Sequence, residues 1–246
     1  MIRSRHPIAE VLLLLLFATA HVRATWFTFT DPAYFTSHYA AEDGPLEYAT
    51  ALLLLIAGII LVRRAVLLGA DKPRRYVWLT CLYALAFVFA AGEEVSWGQR
   101  IFNWESGDFF VTHNHQAETN LHNLVVGDYH LASTLFGNLL TPVILMYLLV
   151  LPLLFGRLRF VDRFVDALAV PVPSARHAVL GLIATLMMGV ITLNRQFELY
   201  ELAFSVIMVM IFLSPRNAAV WSLQGAGAWH PLAARPGHHS DRPAGS

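Results

Sequence analysis

Six long apolar runs constrain the fold of this chain more than any other feature. They cover residues 7–22, 46–62, 76–92, 131–155, 178–193 and 199–213. Most of them lie at the short end of the roughly 17–25 residues that a helix needs to cross a bilayer. None alternates apolar and polar residues as a half-buried strand does. The sequence therefore predicts an all-α fold, a polytopic membrane helical bundle with about six transmembrane helices.

The composition supports a membrane protein and argues against several other classes. Hydrophobic residues make up 57% of the chain and charged residues only 14%, whereas a soluble domain is about 25% charged. The formal net charge is zero, so there is no basic excess to suggest a nucleic-acid partner. Cys81 is the single cysteine, which excludes an intrachain disulfide and a zinc site built on several thiolates.

The positions of Lys and Arg predict that both termini face the cytoplasm. With six spans and the N-terminus inside, only three of the 17 Lys and Arg residues, Arg23, Arg100 and Arg195, fall outside. The first run is ambiguous, because "MIRSRH" and the "ATA" at 18–20 also suit a signal peptide, so a retained helix and a cleaved signal peptide both stay open. The second run is preceded by an aromatic outer loop at 23–45. We expect one transmembrane domain over 1–213, with an outer loop at 93–130, and a flexible cytoplasmic tail over 214–246.

Two adjacent carboxylates follow the third apolar run. The stretch "AGEEVSWGQR", residues 91–100, contains Glu93 and Glu94, with Trp97 and Arg100 shortly after them. Two acids this close to lipid either share a proton, bind a cation or are neutralised by an arginine. If the helix continues, Trp97 stacks on both carboxylates. The simplest interpretation is that Arg100 pairs with them and Trp97 anchors the interface.

The outer loop contains a second set of polar residues in "THNHQAETNLHNL", residues 112–124. In a helix, His115, Glu118 and His122 would share one face. Imidazole and carboxylate groups together are suitable ligands for zinc, iron or manganese. The stretch contains no His-Glu-x-x-His motif, and a solvated polar loop with incidental histidines is the alternative.

A third set follows the fifth apolar run, in "NRQFELYEL", residues 194–202. Arg195, Glu198 and Glu201 are spaced by three residues along one helical face. Glu201 is expected inside the last span, where an ionisable group is costly and usually functional. The alternative is an Arg195–Glu198 ion pair that leaves Glu201 to bond a neighbouring helix. Glu47, at the start of the second run, adds a further carboxylate on the outer side.

The two blocks "GEEVSWGQRIF" and "ETNLHNL" resemble those of a family of bacterial multi-pass inner-membrane proteins with no assigned activity. The acidic stretch "EDGPLE" before the second run is similar too, and the resemblance covers about residues 40–210. It implies a location in the bacterial inner, or cytoplasmic, membrane. It also implies a shared site composed of Glu93, Glu94, Ser96, Trp97, Gln99, Arg100, Glu118, Asn120, His122 and Asn123.

The function that these features favour is a metal-dependent membrane hydrolase or transferase that acts on a lipid or lipid-linked substrate at the extracytoplasmic face. The predicted catalytic residues are Glu93, Glu94 and Glu201. The predicted metal ligands, for a divalent zinc, iron or manganese ion, are Glu94, Glu118 and His122. The predicted substrate-binding residues are Trp97, Arg100, Asn120, Asn123 and Arg195.

Two other functions stay open. In a non-catalytic scaffold or assembly factor, the polar blocks would form loop contacts and interhelical hydrogen bonds, and the partner would be a second copy of the chain or another membrane protein. In a cation- or proton-coupled transporter, the carboxylates would carry the ion. The transporter fits less well because its polar residues should lie near the bilayer midplane, and no inverted repeat is visible.

Overall fold

The computed structural model describes residues 6–69, 72–131, 134 and 138–218. Among these residues, four helices are long and apolar enough to cross a membrane, and we refer to them in chain order as the first to fourth long helices: Pro7–Thr30, Pro45–Leu68, Arg74–Glu94 and Gln196–Leu213. Two shorter apolar helices cover Asn138–Leu154 and Ala175–Met188. The prediction of a helical membrane protein is confirmed in this form, whereas the six spans and the orientation stay predictions.

Shorter elements connect the apolar helices. Before the second long helix lie a helical turn, Pro32–Tyr34, and a π-helical turn, Phe35–Tyr39. The outer loop contains a 3₁₀ turn, two short helices and a two-stranded antiparallel hairpin, at Ser96–Gly98, Gln99–Phe102, Asp108–His113, Val125–Val126 and Tyr129–His130. The helix near Pro142 is irregular, with a π-helical turn between two α-helical pieces, at Thr141–Leu145, Met146–Val150 and Leu151–Leu154. The short helix Arg159–Ala167 follows.

The fourth long helix lies at the centre of the bundle. Its residues from Leu202 to Phe212 are all buried, and it packs against the first and second long helices and against Ala175–Met188. A helix that is apolar on every side is stable only where other helices or lipid surround it. The other three long helices are mostly exposed along their most apolar windows, as expected where lipid covers them.

The second and third long helices form the closest helix pair, and small residues allow their approach. A Cβ atom at Gly58 would lie 2.7 Å from Val88 Cγ2, so any larger side chain at this position would push the helices apart. This pairing brings the start of the second long helix, at Pro45, next to the end of the third, at Glu94.

The first long helix extends beyond the predicted run, so the prediction of an aromatic loop over 23–45 is wrong for its first part. The helix continues to Thr30, and the hydroxyls of Thr25, Thr28 and Thr30 donate to the carbonyl oxygens four residues earlier, each at 2.8 Å. Threonine hydroxyls can form their hydrogen bonds within a helix in this way, to carbonyl oxygens one turn earlier. Pro32 then ends the helix, because the residue before a proline avoids the α conformation.

At the opposite end of the bundle, the first residues after the last helix are bonded to the protein, and the flexible tail stays a prediction for the rest. Arg216 donates from its backbone N–H to Val172 O at 2.8 Å and from its side chain to Pro152 O at 2.5 Å. Asn217 exchanges hydrogen bonds of 2.9 Å with Val172 and Val170. The chain therefore stays attached after the last helix, while residues 219–246 lie outside the described part of the structure.

Candidate functional site at the outer end of the bundle

The third long helix ends at Glu94 in an unusual turn. Ser96 and Trp97 have φ angles of 46° and 55°, and Gly98 follows at 79°. Two consecutive non-glycine residues in this left-handed region cost energy, so other contacts must hold the turn. The Trp97 ring packs over Gly92, where a Cβ atom would lie 2.9 Å from the indole. The helix does not continue through Trp97, which reaches Glu93 through this turn.

Glu93 connects the helix end to the outer loop. Its Oε1 accepts a hydrogen bond from Trp97 Nε1 at 2.8 Å. Its Oε2 accepts the backbone N–H groups of Leu121 at 2.6 Å and His122 at 3.1 Å. The His122 ring lies nearby, with Nδ1 3.8 Å from the same oxygen. Glu93, predicted to be catalytic, is therefore buried and bonded on both oxygens, which suits an anchor of the loop better than an acid or base.

Glu118 lies at the centre of a second buried network. Its Oε2 accepts hydrogen bonds from Ser96 Oγ at 2.5 Å and Asn120 Nδ2 at 3.0 Å, and its Oε1 forms an ion pair with Arg100. Asn114 extends the network, because its Nδ2 donates to Asn120 Oδ1 at 2.8 Å. The predicted metal ligand Glu118 and the predicted substrate residues Arg100 and Asn120 thus bond to one another.

The two outer arginines are linked by acids that precede the second long helix. Arg100 forms ion pairs with Asp43 and with Glu42, the latter at 3.2 Å. Arg195 contacts the same Glu42 at 2.9 Å and Glu198 at 3.9 Å. Burial alone would lower the pKa of Arg100, but its hydrogen bond to Asp43 and the charges of Asp43 and Glu42 raise it. An ion pair between Arg195 and Glu198 is what the alternative interpretation of residues 194–202 predicted.

A different set of acids lies where the second, third and fourth long helices begin or end. It consists of Glu47, Glu94, Glu198 and Glu201, and we call it the acidic cluster. Glu94 repels Glu201, Glu198 and Glu47, and Glu198 repels Glu201. Three helices thus place like charges within electrostatic range of one another at the outer end of the bundle.

The members of the acidic cluster differ in their partners. Glu47 Oε2 accepts the backbone N–H of Asp43 at 2.8 Å, and Glu198 has Arg195 at 3.9 Å. Glu94 and Glu201 form no hydrogen bond or ion pair with any residue that the structure describes. Glu201 is also exposed, so it does not bond a neighbouring helix as the alternative interpretation required.

Residues 112–124 do not form the continuous helix that a shared face of His115, Glu118 and His122 would require. The helix there is Asp108–His113, and turns follow it. Asn114 Oδ1 accepts the backbone N–H groups of Gln116 at 2.9 Å and Glu118 at 3.2 Å. Asparagine competes with helix formation through such local bonds. The shared helical face of His115, Glu118 and His122 therefore does not form.

The remaining predicted residues of this loop separate from one another. His115 is exposed and its ring contacts the ring of His130, with centroids 5.4 Å apart. Asn123, predicted to bind substrate, donates from Nδ2 to Gln116 Oε1 at 2.7 Å. His122 is different, because it lies close enough to Glu198 to interact with it electrostatically. His122 is thus the histidine of the loop that borders the acidic cluster.

Three residues of these networks escaped the prediction of the site: Glu42, Asp43 and Asn114. A signal for the first two exists in the sequence, since "EDGPLE" precedes the second run on the side where the few outer arginines lie. Pairing acids with the outer arginines would have selected Glu42 and Asp43. Asn114 carries no such signal, because its role depends on the folded loop.

In the described part of the chain, no group of three or more His, Cys, Asp and Glu side chains is arranged to hold a metal ion in this conformation. Of the predicted ligands, Glu118 bonds to Ser96, Asn120 and Arg100, His122 lies beside Glu93, and the side chain of Glu94 has no such partner among the residues described. No family model, curated protein or solved structure matches the chain. The resemblance of the two sequence blocks to a bacterial membrane family stays a prediction.

Proposed function

We propose that this protein is an integral-membrane enzyme that acts on a lipid or lipid-linked substrate at the extracytoplasmic face, with the acidic cluster as its reactive centre. One observation carries the proposal: the side chains of Glu94 and Glu201, which the third and fourth long helices place at the same end of the bundle, have no hydrogen-bond or ion-pair partner among the described residues. Glu93 and Glu118, by contrast, hold the loop in place through hydrogen bonds and, for Glu118, an ion pair with Arg100.

The electrostatics of the cluster require a compensating charge. Several carboxylates at one end of the bundle repel one another, and either protons or a cation can offset this repulsion. Arg195 reaches the edge of the cluster through Glu198 at 3.9 Å but is closer to Glu42, at 2.9 Å. This arginine therefore leaves the repulsion between Glu94 and Glu201 largely uncompensated.

A divalent zinc, iron or manganese ion is the compensating charge that fits the donors. Carboxylates and an imidazole are ligands that these ions accept. We propose Glu94, Glu198 and Glu201 as ligands, with His122 beside them, in place of a set that includes Glu118. In the conformation described these donors do not form a group that could hold an ion, so binding would rearrange their side chains. A bound ion would polarise an ester or phosphate group, and a glutamate left free would act as general base.

The surface around the outer loop supports a lipid substrate. Phe102, Phe109 and Ile101 are 75%, 57% and 55% exposed, although they are among the most apolar residues of the loop. Trp97, at the turn beside Glu93, is also partly exposed, at 45%. Aromatic and aliphatic side chains at this level suit the membrane interface, where a lipid headgroup would lie next to the cluster.

The ion pairs agree with the helix ends that the six-span arrangement places on the same side. Arg100 and Arg195 join segments that it places outside, and Glu10, near the start of the first long helix, pairs at 2.6 Å with Arg176, near the start of Ala175–Met188. The bias of Lys and Arg then indicates which side is cytoplasmic. We therefore propose a bacterial inner-membrane protein with cytoplasmic termini. The helices Asn138–Leu154 and Ala175–Met188 would complete the six spans.

A scaffold is the second candidate, and the saturated bonding of Glu93 and Glu118 favours it. Acids that only hold a loop in place would make the outer end of the bundle a docking platform for a second copy or another membrane protein. This alternative does not account for Glu94 and Glu201. Transport receives less support, since the cluster lies at the ends of the helices, whereas a transporter binds its ion near the midplane.

The test is a comparison of lipid composition before and after incubation. Purified protein is reconstituted into liposomes of total bacterial lipid extract with zinc, iron or manganese present, and lipids are quantified by mass spectrometry. The wild type should convert a lipid species, Glu201→Gln should not, and Glu105→Gln, which changes an exposed acid of the outer loop, should behave as the wild type. Equal lipid profiles for the wild type and Glu201→Gln would favour the scaffold.

A further inference from the structure

The short helix Arg159–Ala167 contains a tandem repeat that the proposed function does not use. Residues 159–162 and 163–166 both read Arg-Phe-Val-Asp. Because residues four apart lie on the same face of an α-helix, the repeat produces four rows, each with two identical side chains. The two side chains of a row are therefore of the same residue type and lie on the same side of the helix.

The valine row faces the protein. Val161 and Val165 are 5% and 2% exposed, and together with Val172 they form a small apolar cluster of their own. Leu154 and Phe155, at the end of the preceding apolar helix, pack against it. The helix is thus fixed against the bundle through its valines.

The aspartate row is tied to the protein as well. Asp162 Oδ1 accepts the backbone N–H of Gly156 at 2.7 Å. Asp166 accepts the hydroxyl of Tyr76 and lies 3.4 Å from the guanidinium of Arg75. The negative charges of the repeat are therefore bonded inward and do not neutralise its arginines.

The phenylalanine and arginine rows remain on the surface. Phe160 and Phe164 are 69% and 57% exposed. Arg159 and Arg163 are exposed beside them, as is Arg157 just before the helix. Among the described residues, no acid forms an ion pair with these three arginines. Two exposed phenylalanines flanked by three unpaired arginines form a surface that is apolar and cationic at once.

We propose that this surface binds anionic phospholipid at the membrane face opposite the acidic cluster. Tyr76, which holds Asp166, lies at the start of the third long helix, and Glu94 ends the same helix, so the two surfaces belong to opposite leaflets. Phe160 and Phe164 enter the acyl boundary, and Arg157, Arg159 and Arg163 hold the lipid phosphates. Aromatic and basic residues share these tasks in interfacial helices.

A protein partner is the competing occupant, and the charge pattern favours lipid. Guanidinium groups bind phosphate oxygens with two parallel hydrogen bonds, and the cytoplasmic leaflet is rich in anionic headgroups. The helix also follows an apolar segment that ends at Leu154, which places it next to the hydrocarbon layer. The inference does not depend on the enzyme proposal, because it concerns the other end of the bundle.

The first experiment measures lipid-specific stabilisation of the full chain in detergent. Thermal unfolding is followed with added phosphatidylglycerol and, separately, with phosphatidylcholine of the same acyl chains. The wild type should unfold at a higher temperature with phosphatidylglycerol, and the Arg159→Gln/Arg163→Gln variant should lose at least half of that difference. Arg63→Gln removes an exposed arginine of the second long helix and should retain it. Full retention in the double variant, or equal loss in Arg63→Gln, would overturn the proposal.

A second measurement covers the case in which the double variant fails to fold. A spin label is attached at Phe164→Cys in a Cys81→Ser background, and the protein is placed in nanodiscs that contain phosphatidylglycerol. The label should be more accessible to oxygen than to a water-soluble nickel relaxant, and the reverse is expected for a label at Glu105→Cys in the outer loop. A label at residue 164 that is accessible mainly to nickel, or immobilised by a protein partner, would contradict lipid binding.

Discussion

The hydroxyl of Ser96 donates a 2.5 Å hydrogen bond to Glu118 Oε2, which joins the end of the third long helix to a loop residue 22 positions later. The same hydroxyl oxygen accepts Asn120 Nδ2 at 2.8 Å. All three residues are buried, with at most 5% of each residue's surface exposed. The outer loop is thus held by a bonded polar network rather than by an apolar core.

Removing the Ser96 hydroxyl should weaken this network. Ser96→Ala leaves a buried Glu118 oxygen and the Asn120 amide short of one partner each. A lost hydrogen bond to a charged group costs about 1.5–3 kcal/mol, so the variant should unfold at a lower temperature in detergent. Ser37→Ala, at an exposed hydroxyl that bonds Ala33 O and the ring of its neighbour His38, is the control and should unfold near the wild-type temperature. Equal temperatures for both variants would show that the network adds no stability.

The packing of Trp97 over Gly92 should not tolerate a methyl group. In Gly92→Ala the Cβ atom would meet the indole at 2.9 Å, and overpacking of this kind costs about 1–3 kcal/mol. We expect a lower unfolding temperature and a weaker Trp97–Glu93 bond. Gly107→Ala, where no atom lies within 4 Å, should have little effect. A stable Gly92→Ala variant would mean that the turn adapts.

Arg100 should be the residue that holds the outer loop to the segment before the second long helix. It pairs with Glu118, Asp43 and Glu42, so Arg100→Gln should expose the loop to protease within residues 103–124. Arg100→Lys keeps the charge but cannot bond several carboxylates with one planar group, and its cleavage rate should lie between the two. Wild-type resistance in Arg100→Gln would assign the stability of the loop to its other bonds.

The neighbours Glu93 and Glu94 should respond in opposite ways to the same change. Glu93→Gln disturbs the bonds to Trp97, Leu121 and His122 and should lower the yield of folded protein. Glu94→Gln removes one of several repelling charges and should leave the yield unchanged or raise it in metal-free buffer. The yield of folded protein is measured for both variants from their size-exclusion profiles. A folded yield that falls only in Glu94→Gln would reverse these assignments.

The sequence was sufficient to predict helices and the side on which the polar residues gather, because both depend on local pattern. The apolar runs correspond to helices, and Glu47, Glu94 and Glu201 lie at helix ends that face one another. The lengths of those helices were harder to predict. The threonines after residue 22 look like loop residues, yet their hydroxyls bond within the helix.

The partners of each charged residue could not be predicted, because they depend on the folding of the loop. Arg100 is nearer in sequence to Glu93 and Glu94 than to Asp43, 57 residues away, but it binds Asp43. The cause lies in the turn at Ser96 and Trp97, which redirects the chain after the helix. Asn114 similarly favours turns over a helix, and so separates His115 from Glu118.

The metal content of the purified protein tests the central claim most directly. Wild-type protein that has not been exposed to a chelator is analysed by elemental mass spectrometry. The variants Glu94→Gln and Glu201→Gln and the control Glu105→Gln are analysed in the same way. The account predicts near-stoichiometric zinc, iron or manganese in the wild type and the control, and loss of that metal in the two cluster variants. Folded wild-type protein without metal, or metal that persists in both cluster variants, would contradict the proposal that the acidic cluster holds a catalytic cation.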